Sequence, residues 1–421
     1  IIGAARQAAD LGVRVLVTPE LSLTGYPPED LLLRDAFQRR SDEAQAGTLE
    51  QAKRLHDRLA GVPADAATLS QMQTLLDAGD ATAAAELAMQ HPDFYRTTLK
   101  LFAAAATNRD QDVFEPLNDY IATVIGLVRD DVDYRQLLQT DILYVGADSL
   151  GLPPYQSDNN AHYLALEQQA VDLAQYLQPR AQSSLNAIPA DAAAGVMTSR
   201  AAAKAFFYLG TNRAMLRFTL MNQLCTDLEP LQDISRPTDR IRQDVSRSPG
   251  GDSRIFNNRC VGCHAGMDPL AQAFAYYDYQ FSDEDGSNGR LFYQQAGTLN
   301  QQTQSRVQPK YHINAGTFPY GFSTPDDSWQ NYWREGQNQS LGWDNSLPGQ
   351  GSGAKSLGQE LAHTEAFAQC QVKKVFRTVC LREPENLSDV TALHSITDSF
   401  RSGGYRLKQV FADTATYCMG D

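Results

Sequence analysis

The chain has 421 residues, 42% of them apolar and 20% charged, which is the balance of a folded protein with room for two to four domains. A net charge of −14 argues against nucleic acid and against anionic membrane surfaces as partners, because both would repel it. No run approaches the ~20 apolar residues that cross a bilayer, so no membrane span is expected.

The opening IIGAARQAAD has no initiator Met, no basic region and none of the apolar core of a secretory leader. A processed, truncated or fused N-terminus is therefore expected. IIGAARQAADLG reads as an Ala-rich helix, VRVLVT as a short buried strand, and PELSLTGYPPEDLLLR as a loop entering a helix. Residues 1–40 thus read as a short β/α fragment. VLVTPELSLTGYPPEDLLLR resembles the start of the nitrilase-fold amidase domain of glutamine-dependent NAD synthetase. The resemblance implies that Glu20 is the general base of a Glu–Lys–Cys triad, taking the proton of a nucleophilic thiol. It covers residues 1–39 alone. No Lys or Cys follows in a matching context, and the first cysteine of the chain is Cys225. SPGGDSR (248–254) lacks one residue of a pyrophosphate loop and has no strand before it. Amidase activity is not expected, and the segment reads as a fragment joined to an unrelated chain.

SDEAQAG (41–47) reads as a linker. From about 48 to 230 apolar residues recur at three- and four-residue spacing, as in LEQAKRLHDRLAG and DVFEPLNDYIATVIGLVRD, which predicts helix throughout. AMLRFTLMNQLCTDL (214–228) is the most apolar of these helices, and it is expected to pack against the module that follows. Residues 275–350 are rich in Tyr, Gln, Asn, Gly and Trp with little period, so a long loop region is expected there. Two helical segments, 357–380 and 387–418, close the chain. The expected fold is mainly α, with a helical domain over 48–190, a loop-rich module over 195–350 and a C-terminal helical segment over 355–421.

The loop-rich module contains Cys260-Val261-Gly262-Cys263-His264, a CxxCH. Two thiols at this spacing can form thioethers with two vinyl groups on one porphyrin edge, and the adjacent imidazole can then ligate the iron. Gly262 suits a tight turn. A structural zinc site would need a second close Cys/His pair, whereas His312 and His363 are isolated. A thioredoxin-like motif would need a βαβ context, which is absent. One covalent haem c is therefore expected, on Cys260 and Cys263, with His264 as the proximal iron ligand. His312, 48 residues further on, is the leading candidate for the distal ligand. Met267 and Met419 are weaker candidates, and an open or water-ligated iron is the alternative. His363 reads as a surface histidine. Trp329, Trp333 and Trp343 read equally as a porphyrin wall or as ordinary core.

GVMTSR (195–200), TNRAMLRFTLMNQLC (211–225) and CVGCHAGMDPLAQAFAYYDY (260–279) resemble the haem-c domain of a group of exported bacterial proteins of unknown function. The stretches 48–145 and 362–411 are similar to the helical domains that flank it in that group. The resemblance implies an exported, periplasmic c-type cytochrome that exchanges electrons with a redox partner protein, and it implies no settled reaction. A peroxidase-like oxidoreductase with an open distal site is the alternative. The remaining cysteines, Cys225, Cys370, Cys380 and Cys418, suggest two disulfides and an oxidising compartment. Cys370 and Cys380 on one helix would be about 15 Å apart, too far to pair. Two pairings remain: 225–370 with 380–418, which is preferred, or 225–380 with 370–418.

Overall fold

The computed structural model describes residues 47–284 and 286–420. The β/α fragment expected over residues 1–40, and Glu20 with it, lies outside them. Thr48–Ala60 (α1), Ala66–Asp77 (α2) and Ala81–Ala88 (α3) form an N-terminal helical cluster. In α1 the three- and four-residue spacing of Ala52, Leu55, His56 and Leu59 makes one buried face, and Gly61 ends the helix at φ +75°. Asp65 and Asp80 start the next two helices by accepting hydrogen bonds from otherwise orphaned amides. Leu99–Ala104 (α4) and Asp119–Arg129 (α5) continue the bundle, and α5 is buried nearly all round.

The helical pattern expected up to residue 230 is interrupted. Leu143–Gly146 (β1) and Leu177–Arg180 (β2) pair antiparallel. LYVG is a four-residue apolar run buried at every position, and periodicity cannot separate such a run from a buried helix segment. β1 packs on α5 at Gly126, where a β-carbon would fall 2.1 Å from the Tyr144 ring. Arg200–Phe206 (α6) and Arg213–Leu224 (α7) follow. Then comes Val261–Ala271 (α8), the helix of the CxxCH motif. The region expected to be long loop holds two small ladders. One joins Tyr277–Phe281 (β3) to Gly289–Tyr293 (β4), and the other joins Ser328–Gln330 (β5) to Gln350–Ser352 (β6). Gly353–Ala362 (α9), Glu365–Cys380 (α10), Leu387–Ser402 (α11) and Leu407–Cys418 (α12) end the described chain.

The fold is mainly α, and its three sequence segments share one hydrophobic core. α12 packs on α10 and also on α1 and α3, the helices at the start of the described residues. α7 touches both α8 and α10, as expected for the most apolar helix beside the CxxCH module. Disulfides join Cys225 to Cys370 and Cys380 to Cys418, which is the preferred pairing. Among the described residues no helix is long and apolar enough to cross a membrane.

Candidate functional site

The CxxCH residues sit on helical backbone. A π-turn over Phe256–Cys260 runs directly into α8, with Cys260 itself at φ −109°, ψ −43°. The tight turn expected at Gly262 does not form. Gly262 is a helical residue, and its missing side chain serves packing: a β-carbon there would lie 3.3 Å from the Asp233 amide and from Gln232 Cβ. The Asp233 amide also donates to the Gly262 carbonyl at 3.1 Å, fastening the 232–234 loop to the motif.

Spacings of three and four residues put Cys260, Cys263 and His264 on one face of this helix. Both thiols are half-buried and free, while the other four cysteines are in disulfides. Burial, helped by Cys260, Asp227 and Glu229, pushes the Cys263 thiol up from its ordinary value. That disfavours the thiolate a disulfide-exchange site would need. Two large apolar side chains flank the motif in the open. Ile234 is 79% exposed and would be 3.4 Å from a β-carbon on Gly262, and Ile255, 40% exposed, lies just upstream of Cys260.

His264 is held from beneath by α8 itself. Asp268, one turn on, lies with Oδ1 3.0 Å from His264 Nδ1. An imidazole whose Nδ1–H is donated to a carboxylate keeps its lone pair on Nε2, the nitrogen free to ligate. Asp268 is fully buried. Burial alone would raise its pKa, but the Arg213 guanidinium, the His264 hydrogen bond and Arg242 outweigh that and hold it well below the usual carboxylate range. Arg213 Nε donates to Asp268 Oδ1 at 2.6 Å and Nη2 to Oδ2 at 3.0 Å. The other side of Arg213 is bidentate with Asp244 at 2.6 and 2.8 Å. Arg242, 0% exposed, donates its backbone N–H to Asp268 and stacks over the Tyr311 ring at 4.5 Å. Asp268, Arg213, Asp244 and Arg242 were not singled out in the sequence. The readable signal was the four-residue interval between His264 and Asp268, masked because MDPL reads as a packing pattern.

The remaining sequence candidates are dispersed. Met267 is 4% exposed in the main core, so its sulfur is spent on packing. Met419 follows α12 beside the Cys380–Cys418 disulfide, and its carbonyl accepts from Arg54 of α1, in the bundle where the chain closes. His312 gives its Nε2 to the Thr324 carbonyl at 3.0 Å. His363 is not the surface residue expected from the sequence. It lines a polar cavity of about 530 Å³ with Arg135, Arg334, Arg401, Asp344 and Glu365. Each of those arginines already has a carboxylate partner: Asp133, Glu360 and Glu365 respectively.

All three tryptophans are buried in the core. Trp329 donates to Ser356, and Trp343 to the carbonyls of Trp333 and Asn338. Trp333 lies against α8 at Gly266, where a β-carbon would come 1.9 Å from its Nε1.

The motif offers two thiols outside the disulfides and one imidazole whose Nε2 is available, a donor set that fits covalent attachment of a porphyrin. Among the described residues no group of three or more His, Cys, Asp or Glu is arranged to hold a metal ion, as the zinc alternative would need. A single proximal imidazole places no such demand. No family model, curated protein or solved structure matches the chain.

Proposed function

We propose that this protein is an exported mono-haem c-type cytochrome that passes electrons to and from a redox partner protein. The observation that carries the reading is the joint state of Cys260, Cys263 and His264. The two thiols are the free cysteines among the described residues, and the adjacent imidazole is turned so that Nε2 is its available nitrogen. When bound, the group supplies one-electron exchange at iron. Cys260 and Cys263 would hold it by two thioethers, and His264, oriented through Asp268, would ligate the iron. The two disulfides fit the oxidising compartment in which such proteins mature.

Intact mass after expression in a host with c-type maturation tests this. The expected result is a gain of one haem that Cys263→Ser reduces to a single, weaker attachment or abolishes. An exported, folded protein without added mass would overturn the reading.

A second reading, a peroxidase-like oxidoreductase with an open distal site, is favoured by the placement of the distal candidates. Met267 is packed in the core, Met419 sits with α1 and α12, and His312 is engaged with Thr324. Rapid cyanide binding by the oxidised protein would favour it over a pure electron carrier.

A further inference from the structure

Asp268 orients His264 in the reading above, yet the support built around it exceeds what orientation alone requires. An isolated buried carboxylate is expensive. Here Arg213 grips both oxygens, and the Arg242 amide donates to Oδ2 at 3.1 Å. Arg213 cannot swing away, because Asp244 and the Thr211 hydroxyl hold its far edge. A cluster of buried charges is often no more stable than apolar residues of the same volume, so stability alone does not account for it. Its one outlet is Asp268 Oδ1, which faces His264 Nδ1 at 3.0 Å.

We propose that Asp268, clamped by Arg213, is a positioning residue that fixes the Nε2-ligating tautomer of His264 and lowers the reduction potential of the iron bound there. The inference rests on the haem reading above. An Nδ1–H donated to a carboxylate pushes electron density into the ring, which makes Nε2 the stronger donor and favours the oxidised metal. The clamp limits the effect. Arg213 shares the charge on Oδ1, so Asp268 accepts a hydrogen bond without taking the proton.

The test compares haem-loaded wild type, Asp268→Asn and Asp268→Glu by intact mass and by potentiometric titration. Asp268→Asn is expected to keep its covalent haem while its reduction equilibrium shifts about tenfold toward the reduced state, about 59 mV for one electron. Asp268→Glu, which retains the charge, is expected to stay close to wild type. A role confined to stability would leave the potential unmoved, and an unchanged potential in Asp268→Asn overturns the proposal. If Asp268→Asn does not accumulate, the ferrous iron–histidine stretch of wild type after CO photolysis decides. It must lie above that of a haem c whose histidine donates to a backbone carbonyl, and an equal or lower frequency overturns the proposal. Absence of covalent haem from the wild type is a separate outcome, which sinks the haem reading itself.

Discussion

Gly266 carries more of the site's geometry than its lack of a side chain suggests. Cys260, Cys263 and His264 lie at the N-terminal end of α8, and from Ala265 on the helix is buried all round. Trp333 packs against Gly266 and is 0% exposed, so it has no room to retreat from a new β-carbon. Gly266→Ala is therefore expected to cost about 1–3 kcal/mol by overpacking, read from the urea midpoint at unchanged slope. On the proposed haem reading it should also lower the yield of covalent haem, because a tilted α8 would move Cys263 and His264 relative to Cys260. An unchanged midpoint would mean that Trp333 is free to shift. At this scale CxxCH marks Cys260, Cys263 and His264 in the sequence, and the structure sets them on consecutive helical turns with both thiols outside the disulfides. The sequence was not legible where chemistry comes from folding distant residues together. Arg213, Arg242 and Asp244 reach Asp268 through contacts that no spacing in the chain reveals.

The helices were readable wherever one face is buried and the other wet, as in α1 and in α10. Uniform burial defeats the reading only in a short run, since α5 is buried nearly all round and is still long enough to read as helix. β1 is apolar at every position, so its pattern carries no period to distinguish a strand from a helix. Placing Cys370 and Cys380 on one helix did narrow the disulfide pairing, and α10 spans both. Of the two remaining arrangements, contact between α7 and α10 accommodates 225–370, and contact between α10 and α12 accommodates 380–418. The two bridges differ in what they restrain. Cys225–Cys370 closes a separation of 145 residues and fastens α7, which packs on the motif helix, to α10. Cys380–Cys418 closes 38 residues within the C-terminal helices. On chain entropy the first is worth about 5 kcal/mol and the second about 4 kcal/mol. Replacing each pair by Ala should therefore destabilise the protein by these amounts in chemical denaturation, and only the 225–370 replacement should also impair haem attachment. Equal impairment by both replacements would show that α7 does not transmit the effect to α8.

The whole chain is strongly acidic, but the segment that carries the site is not. Between residues 227 and 264 Arg236, Arg240, Arg242, Arg247, Arg254 and Arg259 balance Asp227, Glu229, Asp233, Asp239, Asp244 and Asp252. The net charge of −14 therefore resides elsewhere and reaches the site only as a long-range field. Such a field is felt across about 30 Å at 0.01 M ionic strength and across about 8 Å at physiological salt. On the proposed haem reading, electron exchange with small mediators should then divide by ionic strength. At low salt a cationic mediator such as hexaammineruthenium should react faster than its driving force alone predicts, and an anionic one such as ferrocyanide more slowly. Raising the salt should slow the first and speed the second until the two converge near physiological ionic strength, where the field of the whole molecule is screened. Stopped-flow rates measured over that range provide the check. Salt slopes of the same sign for both mediators would show that a local charge patch at the site, and not the charge of the whole molecule, governs its encounters. A partner chosen by long-range attraction would accordingly be basic.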